Sequence, residues 1–445
     1  MRRVVVALCA LMTLLPLAAD GQGLREKISE LFIFGSGQDP LFLAGSADPS
    51  NPLSIQAHGS HFVPSAVSQN GSLIFFITSA IGNNVANTPI GSTSGGETFR
   101  FEAGVPVRTS TSAGPIYTER AQTLGAGRTV VGLARTQSHL SSLRGVDLHN
   151  IELYFTHQNV DFAGCDSIYG APCKLMGVPS LENDIMQFRL NLNLDVQVTS
   201  FYATYGVGDR LDLGLVVPIV STALHGESNA EIIPFGGPTA AHFFAGTPAN
   251  PVLDAERSVD GSSVGLGDVA VRTKLNVHQS QSSAVALLGE ARFATGNADE
   301  LLGSGNFAAR ALAIASAHVG NFSAHGNAGY LYRAGDKMNQ AVLGSLAFDD
   351  LMAEHVTIAA ELLSELQIGR SKLTLPPPVQ YDVPFKRTII PTSIPDMADD
   401  IVNGSFGFKF SVPVGFTIVT NALVPLNRGG LRANVTYTAG VEYTF

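Results

Sequence analysis

The chain has 445 residues, of which 45% are hydrophobic and only 14% are charged. Its 27 basic and 37 acidic side chains give a net charge of −10, which argues against nucleic acid as a partner because phosphate backbones bind basic surfaces. No stretch reaches the ~20 apolar residues that a helical membrane span needs, which excludes a polytopic helical membrane protein.

A secretory leader is predicted at the N-terminus. Arg2 and Arg3 precede a predominantly apolar run from Val4 to Leu17, which is followed by Ala18 and Ala19. A basic end, a short apolar run and small residues are typical of a cleaved signal peptide. Residues 1–19 are therefore expected to be removed on export.

A short amphipathic helix is predicted next. Leu24, Ile28, Leu31 and Phe32 recur at helical spacing beside the charged run 25–27. The residues that follow are rich in Gly, Ser and Asn, so residues 20–96 form one N-terminal region of the predicted organisation. This region either enters the interior of the protein as a plug or forms a periplasmic arm, and the sequence favours neither.

Strands with one apolar face make up the rest of the chain, residues 97–445. Apolar residues occupy every second position most regularly at Leu190–Val198, Leu211–Ile219 and Leu431–Phe445. Because side chains alternate faces along a strand, one face meets an apolar medium and the other a polar one. We predict an all-β fold, a transmembrane antiparallel up-and-down β-barrel of about 12 to 14 strands in a bacterial outer membrane. A soluble sandwich is the alternative, but it would not need so many regular rows.

Short and long connections alternate between these strands. Short ones are predicted at residues 206–209, 278–283, 318–321, 349–353 and 413–414, and long ones at 157–184, 221–266, 294–307 and 371–400. Outer-membrane barrels have short periplasmic turns and longer outer loops, so both chain ends are expected on the periplasmic side. An even count of fourteen strands is favoured, with twelve if the earliest candidates near residues 98–107 and 129–138 pack elsewhere.

Two cysteines remain after the leader. Cys165 and Cys173 lie in a stretch rich in Gly, Pro and Asp that is predicted to be an outer loop. In an exported chain such a pair predicts a disulfide that closes the loop. No further ligands lie beside them at suitable spacing, so we expect no metal site and no cofactor.

The polar row of each strand is predicted to face the lumen. Acidic and basic residues are mixed along these rows, and they either neutralise one another or form a constriction that selects solutes by charge. The charged candidates for lining the lumen are Asp195, Arg210, Asp212, Asp268, Arg272, Lys274, Glu290, Arg292, Glu361, Glu365, Lys409, Arg432 and Glu442.

The last strand ends on the aromatic residues Tyr443 and Phe445. A closing strand of this kind resembles the signal that barrel-assembly machinery reads, so this machinery and outer-membrane lipid are the expected partners. Trp, which is common at membrane interfaces, is absent, and Phe and Tyr are expected to take its place.

Sequence motifs offer little support for catalysis. The chain has no His-Glu-x-x-His zinc motif and no Asn-His-x-Ser of the kind that barrel phospholipases carry. The histidine pairs His58 and His61, or His318 and His325, have no orienting partner that can be named from the sequence. We predict that the protein is not an enzyme.

Several segments resemble those of a known family. They are Gly114–Gly125 (GPIYTERAQTLG), Val264–Asp268 (VGLGD), Ala294–Asn297 (ATGN), Gly303–Gly305 (GSG) and Asn327–Tyr330 (NAGY). From about Gly95 onward the chain resembles the outer-membrane proteins of the phenol-degradation meta-pathway (MetA-type) family, distantly similar to long-chain fatty-acid outer-membrane transporters. This resemblance implies passage of small, often hydrophobic or aromatic, compounds through a largely monomeric barrel. It assigns no binding residue, and the plug motif of the fatty-acid transporters is not found.

The leading hypothesis is an outer-membrane channel or transporter for passive passage of a small-molecule solute. The first alternative is a structural or adhesive barrel whose lumen is plugged. A hydrolase at the membrane surface is the less favoured alternative.

Overall fold

The computed structural model describes residues 22–34, 73, 76–85, 99–102, 105–108, 112–156, 184–234, 243–247, 250–375, 378–381, 385–412 and 415–445. The predicted leader and the pair Cys165 and Cys173 lie outside these residues. Within them, no helix has the length and hydropathy of a membrane-crossing helix.

Strands dominate the described chain. Helix α1 spans Leu24–Glu30, and residues 76–85 are also helical. The strands in chain order are β1 (Phe99–Glu102), β2 (Val105–Arg108), β3 (Thr129–Leu143), β4 (Val146–Asp147), β5 (Ile151–Thr156), β6 (Ile185–Gly208), β7 (Leu211–Ile233), β8 (Ala245–Thr247), β9 (Asn250–Val252), β10 (Asp254–Leu266), β11 (Ala270–Gln279), β12 (Ser283–Arg292), β13 (Ala308–Val319), β14 (Phe322–Arg333), β15 (Ala341–Ala353), β16 (Val356–Gln367), β17 (Val379–Tyr381), β18 (Arg387–Ile389), β19 (Ile401–Val412), β20 (Phe416–Pro425) and β21 (Leu431–Thr444).

Twelve of these strands form one closed antiparallel barrel, which confirms the predicted fold class. Their order around the barrel is β3, β6, β7, β11, β12, β13, β14, β15, β16, β19, β20 and β21, and β21 closes the ring on β3. The favoured count of fourteen is too high. The early candidate near residues 98–107 instead forms a separate hairpin of β1 and β2, whereas the candidate near 129–138 enters the barrel as β3.

The two longest strands carry the wall beyond the rest of the barrel. Strands β6 and β7 have 24 and 23 residues, and their outer halves pair with β5 and β10. The predicted long loop at residues 221–266 is therefore largely strand, because β7 continues to Ile233 and β10 covers its last part. We call this raised sheet of β5, β6, β7 and β10 the outer extension.

The apolar face changes sides along β6. Near the periplasmic end Phe201 and Tyr205 point outwards and are exposed, while Tyr202 is buried inside. In the outer extension the inward row is apolar and buried, as at Leu192, and the outward row is polar, as at Asn193. An apolar exterior suits hydrocarbon and a polar one suits water, so the edge of the membrane crosses β6 between these two parts.

A belt of outward apolar side chains surrounds the barrel, including Leu133, Leu213, Val271, Leu287, Phe348, Phe406 and Ile418. From Val285 on β12 to Phe293, which directly follows that strand, the belt covers about 26 Å at ~3.3 Å per residue. Because the strands of such barrels tilt by roughly 35–45°, this length spans about 20 Å across the membrane, which is comparable to the ~25 Å apolar band of outer-membrane barrels. The architecture is that of a bacterial outer-membrane protein.

Phe and Tyr occupy the periplasmic edge of the belt. The Tyr443 ring lies 4.5 Å from that of Phe416 and 5.6 Å from that of Phe445. Phe322 and Phe348 stack at 5.6 Å on another part of the wall. These rings stand where Trp is common in other barrels.

A charge placed on the belt tests this membrane position. Leu287→Arg is expected to lower the free energy of unfolding by about 2–4 kcal/mol, because a lipid-facing arginine near the middle of the bilayer is poorly solvated. The control Asn193→Arg, on the outward row of the outer extension, should change it by less than ~1 kcal/mol. Urea unfolding of the barrel in phospholipid vesicles measures both. Equal losses for the two variants would contradict the placement.

Candidate functional site

The interior of the barrel holds a chain segment that has no helix or strand of its own. Residues 112–125, which we call the luminal segment, lie directly before β3, and every one of them is buried. The segment contains the motif Gly114–Gly125. Its position means that the backbone N–H and C=O groups of the motif must find partners among the inward side chains of the wall.

Glu361 on β16 supplies most of the acceptors for the first half of the luminal segment. Its carboxylate receives the backbone N–H groups of Ile116 at 2.5 Å and Tyr117 at 3.0 Å. The backbone N–H of Thr118, at 2.8 Å, and its hydroxyl, at 2.9 Å, donate to the same carboxylate. One inward glutamate therefore fixes a bend of three consecutive residues.

Neutral side chains hold the second half. Asn327 on β14 receives the N–H of Glu119 at 2.8 Å and donates to its C=O at 2.9 Å, as a neighbouring strand would. Asn276 on β11 donates to the C=O of Ala121 at 2.9 Å. Asp212 on β7 receives the N–H of Leu124 at 3.1 Å. The motifs at 114–125 and 327–330 thus meet in the lumen.

A hydroxyl, an imidazole and a carboxylate form a chain from β13 to β15 beside the luminal segment. Nδ1 of His325 lies 2.7 Å from Oγ of Ser316, and Nε2 lies 2.7 Å from a carboxylate oxygen of Asp349. Both ends of the chain reach the luminal segment, because Ser316 receives the N–H of Ala121 at 2.9 Å and Asp349 binds the hydroxyl of Ser112. His325 is therefore oriented, although the sequence named no partner for it.

The inward charges pair with one another. Glu290 on β12 receives Arg272 at 2.5 Å and both Arg292 and Arg310 at 2.9 Å. Glu119 of the luminal segment lies 3.8 Å from Arg272. Among the residues that the structure describes, no group of three or more His, Cys, Asp or Glu is placed to hold a metal ion.

The described part of the N-terminal region lies inside the outer extension. Ser228 on the inward face of β7 donates to the C=O of Leu31 at 2.6 Å, and Lys27 donates to the C=O of Asp260 on β10 at 2.6 Å. The ring of Phe32 stacks on that of Phe188 at 4.7 Å. The helical residues 76–85 join the same apolar cluster. The described N-terminal residues therefore pack on the apolar inward row of the outer extension, and we call them the N-terminal plug.

Three of the resembling segments meet at Asp268. This carboxylate, at the end of VGLGD, receives the N–H of Gly296 at 3.0 Å and the N–H of Ser304 at 2.8 Å. A Cβ on Gly303 would lie 2.4 Å from a carboxylate oxygen of Asp268 and 2.9 Å from the backbone Cα of Gly296, so a larger residue would displace this loop. The loop is thereby folded inwards, and Leu301 is buried against the N-terminal plug.

A cavity of about 270 Å³ lies between the N-terminal plug and the luminal segment. The helical residues 76–84 contribute to its lining on one side, and Tyr117 and Glu119 of the luminal segment on another. Apolar parts of the lining include Leu140, Leu312, Leu363 and Leu423, and charged parts include Arg310, Arg333, Glu365 and Arg432. A dry cavity of about 150 Å³ is sufficient for benzene, so a small aromatic molecule fits.

The structure places most lumen candidates inside the barrel, where they contact the luminal segment, one another or other groups of the wall and loops. Ten are buried there: Asp212, Asp268, Arg272, Lys274, Glu290, Arg292, Glu361, Lys409, Arg432 and Glu442. Glu365 is partly buried and lines the cavity.

Two of the lumen predictions are wrong. Asp195 lies on the outward row of the outer extension, is 47% exposed and pairs with His139 at 3.1 Å, because the polarity of the two faces is reversed there. Arg210 lies in the exposed periplasmic turn between β6 and β7. The neutral anchors Ser316, Asn276 and Asn327 are not among the predicted lumen residues. The signal for them was a stretch without alternation, 112–125, that precedes the first barrel strand.

Comparison with known protein families gives a match over part of the chain. The protein-family model described as "Putative MetA-pathway of phenol degradation" matches residues 182–349, which confirms the resemblance over that part of the chain. No curated protein matches the chain significantly.

Similar solved structures include an outer-membrane channel from Pseudomonas putida F1, at 10% identity over 73% of this chain and 98% of that chain, with a TM-score of 0.39. The Pseudomonas putida toluene transporter TodX is 9% identical over 81% of this chain and 97% of that chain, with a TM-score of 0.33. A Pseudomonas aeruginosa FadL homologue is 9% identical over 72% of this chain and 89% of that chain, with a TM-score of 0.31. The first two are described as a channel and a transporter rather than as enzymes.

Removal of the Glu361 carboxylate tests how the luminal segment is held. Glu361→Ala leaves three buried N–H groups without their acceptor, at a cost of about 1–3 kcal/mol for each group. Even ~2 kcal/mol in total would shift the balance between docked and released segment about 30-fold. Single-channel recordings in planar bilayers should show more frequent opening. The control Ser364→Ala, on the same strand but bonded to Gly344, should behave as the wild type. An unchanged opening frequency for Glu361→Ala would contradict the assignment.

Proposed function

We propose that the protein is an outer-membrane channel that passes small, hydrophobic or aromatic molecules passively. The cavity between the N-terminal plug and the luminal segment is an intermediate binding site on the path. The observation that carries this proposal is the cavity itself, about 270 Å³ in volume and bounded by the luminal segment inside a closed, lipid-belted barrel. Its lining is apolar in part and polar in part, as small-molecule sites are.

The luminal segment is the gate in this proposal. It blocks the periplasmic half of the lumen, and its contacts with the wall are separate hydrogen bonds from side chains such as Glu361, Asn327 and Ser316. Such contacts can be exchanged one after another without unfolding the barrel, unlike the pairing of a sheet. A shift of this segment would connect the cavity to the periplasm.

Residues 385–400, which we call the cap, lie on the outer side of the cavity in this proposal. Arg144, which is buried, binds the carboxylate of Asp399 through two nitrogens at 2.8 and 2.9 Å and lies 5.5 Å from the centre of the Phe76 ring. The N–H of Tyr154 donates to the C=O of Pro391 at 2.7 Å, which fixes the same loop to β5. A solute is therefore expected to enter between this cap and the outer extension.

The solute class follows from the cavity and the family. The description of the matching family names phenol degradation, and the cavity is large enough for a phenol-sized ring. The mixed inward charges are paired with one another, for example Glu290 with Arg272, so weak ion selectivity is expected.

Several further features belong to the same proposal. The belt contacts outer-membrane lipid, Tyr443 and Phe445 are read by the barrel-assembly machinery, and Cys165 with Cys173 closes an outer loop. No catalysis is proposed. Gly261–Gly265 has the letters G-x-S-x-G, but it lies within β10 and not at the strand-to-helix turn that exposes a nucleophilic serine.

The complete burial of the luminal segment favours a second candidate, a structural or adhesive barrel that never opens. The two candidates differ in whether the segment moves. A reversible lock on the segment therefore separates them.

A disulfide between the gate and the wall is that lock. Ala121→Cys with Ser316→Cys, in a background with Cys165→Ser and Cys173→Ser, joins two residues whose backbone nitrogen and hydroxyl lie 2.9 Å apart. Uptake of labelled phenol by porin-deficient cells should fall to background when the pair is oxidised and recover on reduction. Each single-cysteine variant is the matched control. Equal phenol uptake with the pair oxidised and reduced would contradict the role of the luminal segment as a gate. A wild-type protein that takes up no small solute would favour the plugged barrel.

A further inference from the structure

Arg432 differs from the other charged residues around the cavity. It lies on the inward face of β21, lines the cavity and is only 5% exposed. One guanidinium nitrogen donates to the C=O of Val402 at 2.9 Å and to Oδ1 of Asn403 at 2.5 Å. In the described part of the chain no carboxylate lies within 4.0 Å of this guanidinium. Only neutral oxygens are hydrogen-bonded to the guanidinium, and Glu365, whose charge acts on it from more than 4.0 Å, is bound to Arg333.

Each of the other charged residues of the lining has an opposite partner. Arg333 binds Glu365 at 2.5 Å, and Arg310 binds Glu290 at 2.9 Å. The cavity acids Asp399 and Glu119 are likewise matched, by Arg144 at 2.8 Å and Arg272 at 3.8 Å. Because a buried charge is stable only when it is paired, an unmatched guanidinium on a cavity wall indicates that an anion completes the site.

The geometry leaves the guanidinium available to such an anion. The contacts to Val402 and Asn403 fall on a single terminal nitrogen, so the two other nitrogens have no partner among the described residues. Asn403 is thus a positioning residue, which fixes the plane of the guanidinium. A carboxylate is the group that a planar guanidinium binds best through two parallel hydrogen bonds.

The rest of the lining suits an apolar body. Leu312, Leu363 and Leu423 line the cavity together with the ring of Phe76. The volume of about 270 Å³ exceeds the ~150 Å³ that benzene needs and leaves room for a carboxylate on the ring.

We propose that the cavity is a binding site for small apolar or aromatic molecules that carry one carboxylate, and that Arg432 binds this carboxylate. The inference rests on the proposed channel and makes its solute more specific. A neutral ring such as phenol still fits the cavity, but it gains nothing from the charge of Arg432. The site therefore discriminates between an acid and its neutral analogue.

Binding of two probes of nearly equal shape tests this inference. Benzoate and benzyl alcohol are titrated by calorimetry into the purified full-length barrel in detergent. The wild type is expected to bind benzoate at least tenfold more tightly than benzyl alcohol. Arg432→Gln should remove this preference and leave the benzyl alcohol affinity unchanged. The control Arg428→Gln removes an exposed arginine from the turn between β20 and β21, and this variant should keep the preference for benzoate.

The outcomes separate the two proposals. Equal affinities for the two probes in the wild type, no binding of either, or a preference that survives Arg432→Gln would overturn the carboxylate site. In each case, uptake of labelled phenol by cells that carry the wild-type protein would show separately whether the proposed channel function is correct. Should Arg432→Gln fail to fold on a heat-shift gel, Asn403→Ala replaces it. Loss of the positioning contact is then expected to weaken benzoate alone by about threefold or more.

Discussion

The hydrogen-bonding demand of a backbone without secondary structure governs the interior of this barrel. The luminal segment lies where water has been displaced, and each of its N–H and C=O groups must be paired. Glu361, Asn327 and Asp212 meet this demand from three different strands. The polar inward row of the wall is therefore first of all a partner surface for the chain's own backbone.

The pairing of charges follows from the same loss of water. Isolated ions inside the lumen would be strongly disfavoured, so Glu290 collects three arginines and Glu119 lies near Arg272. These contacts tie β11, β12 and β13 to the luminal segment. These strands of the wall and the gate thus share one electrostatic network, whereas the guanidinium of Arg432 has no carboxylate in contact with it among the described residues.

Alternation was sufficient to predict the barrel and most of its short turns, because a two-residue period is a property of the local sequence. It could not predict which face is outside. The rows at Leu190–Val198 and at Tyr437–Phe445 look alike, yet the first packs its apolar side chains inwards and the second outwards. The predicted row from Leu431 does not run unbroken, because register shifts between Arg432 and Thr436 interrupt it and Leu431 is buried in the core. Asp195 was misplaced for this reason. A one-dimensional pattern records that two media exist but not where each one lies.

The luminal segment could not have been found in that way. It has no period, and its partners Asn327 and Ser316 follow Glu119 and Ala121 by 208 and 195 residues. The family resemblance marked both GPIYTERAQTLG and NAGY, but it did not reveal that they touch. Closure of the barrel is what brings them together, since only a complete ring places β13, β14 and β16 around one line of backbone.

The height of the outer extension has a consequence for how molecules arrive. Residues 185–199 of β6 rise about 46 Å along the strand beyond the lipid edge at ~3.3 Å per residue. On a bacterial outer membrane, a sheet of this length would extend from the lipid edge into the carbohydrate layer of the lipopolysaccharide. Hydrophobic solutes that diffuse slowly through this hydrated carbohydrate layer would then contact the protein within the layer. They would do so before they reach the poorly permeable outer leaflet of the membrane.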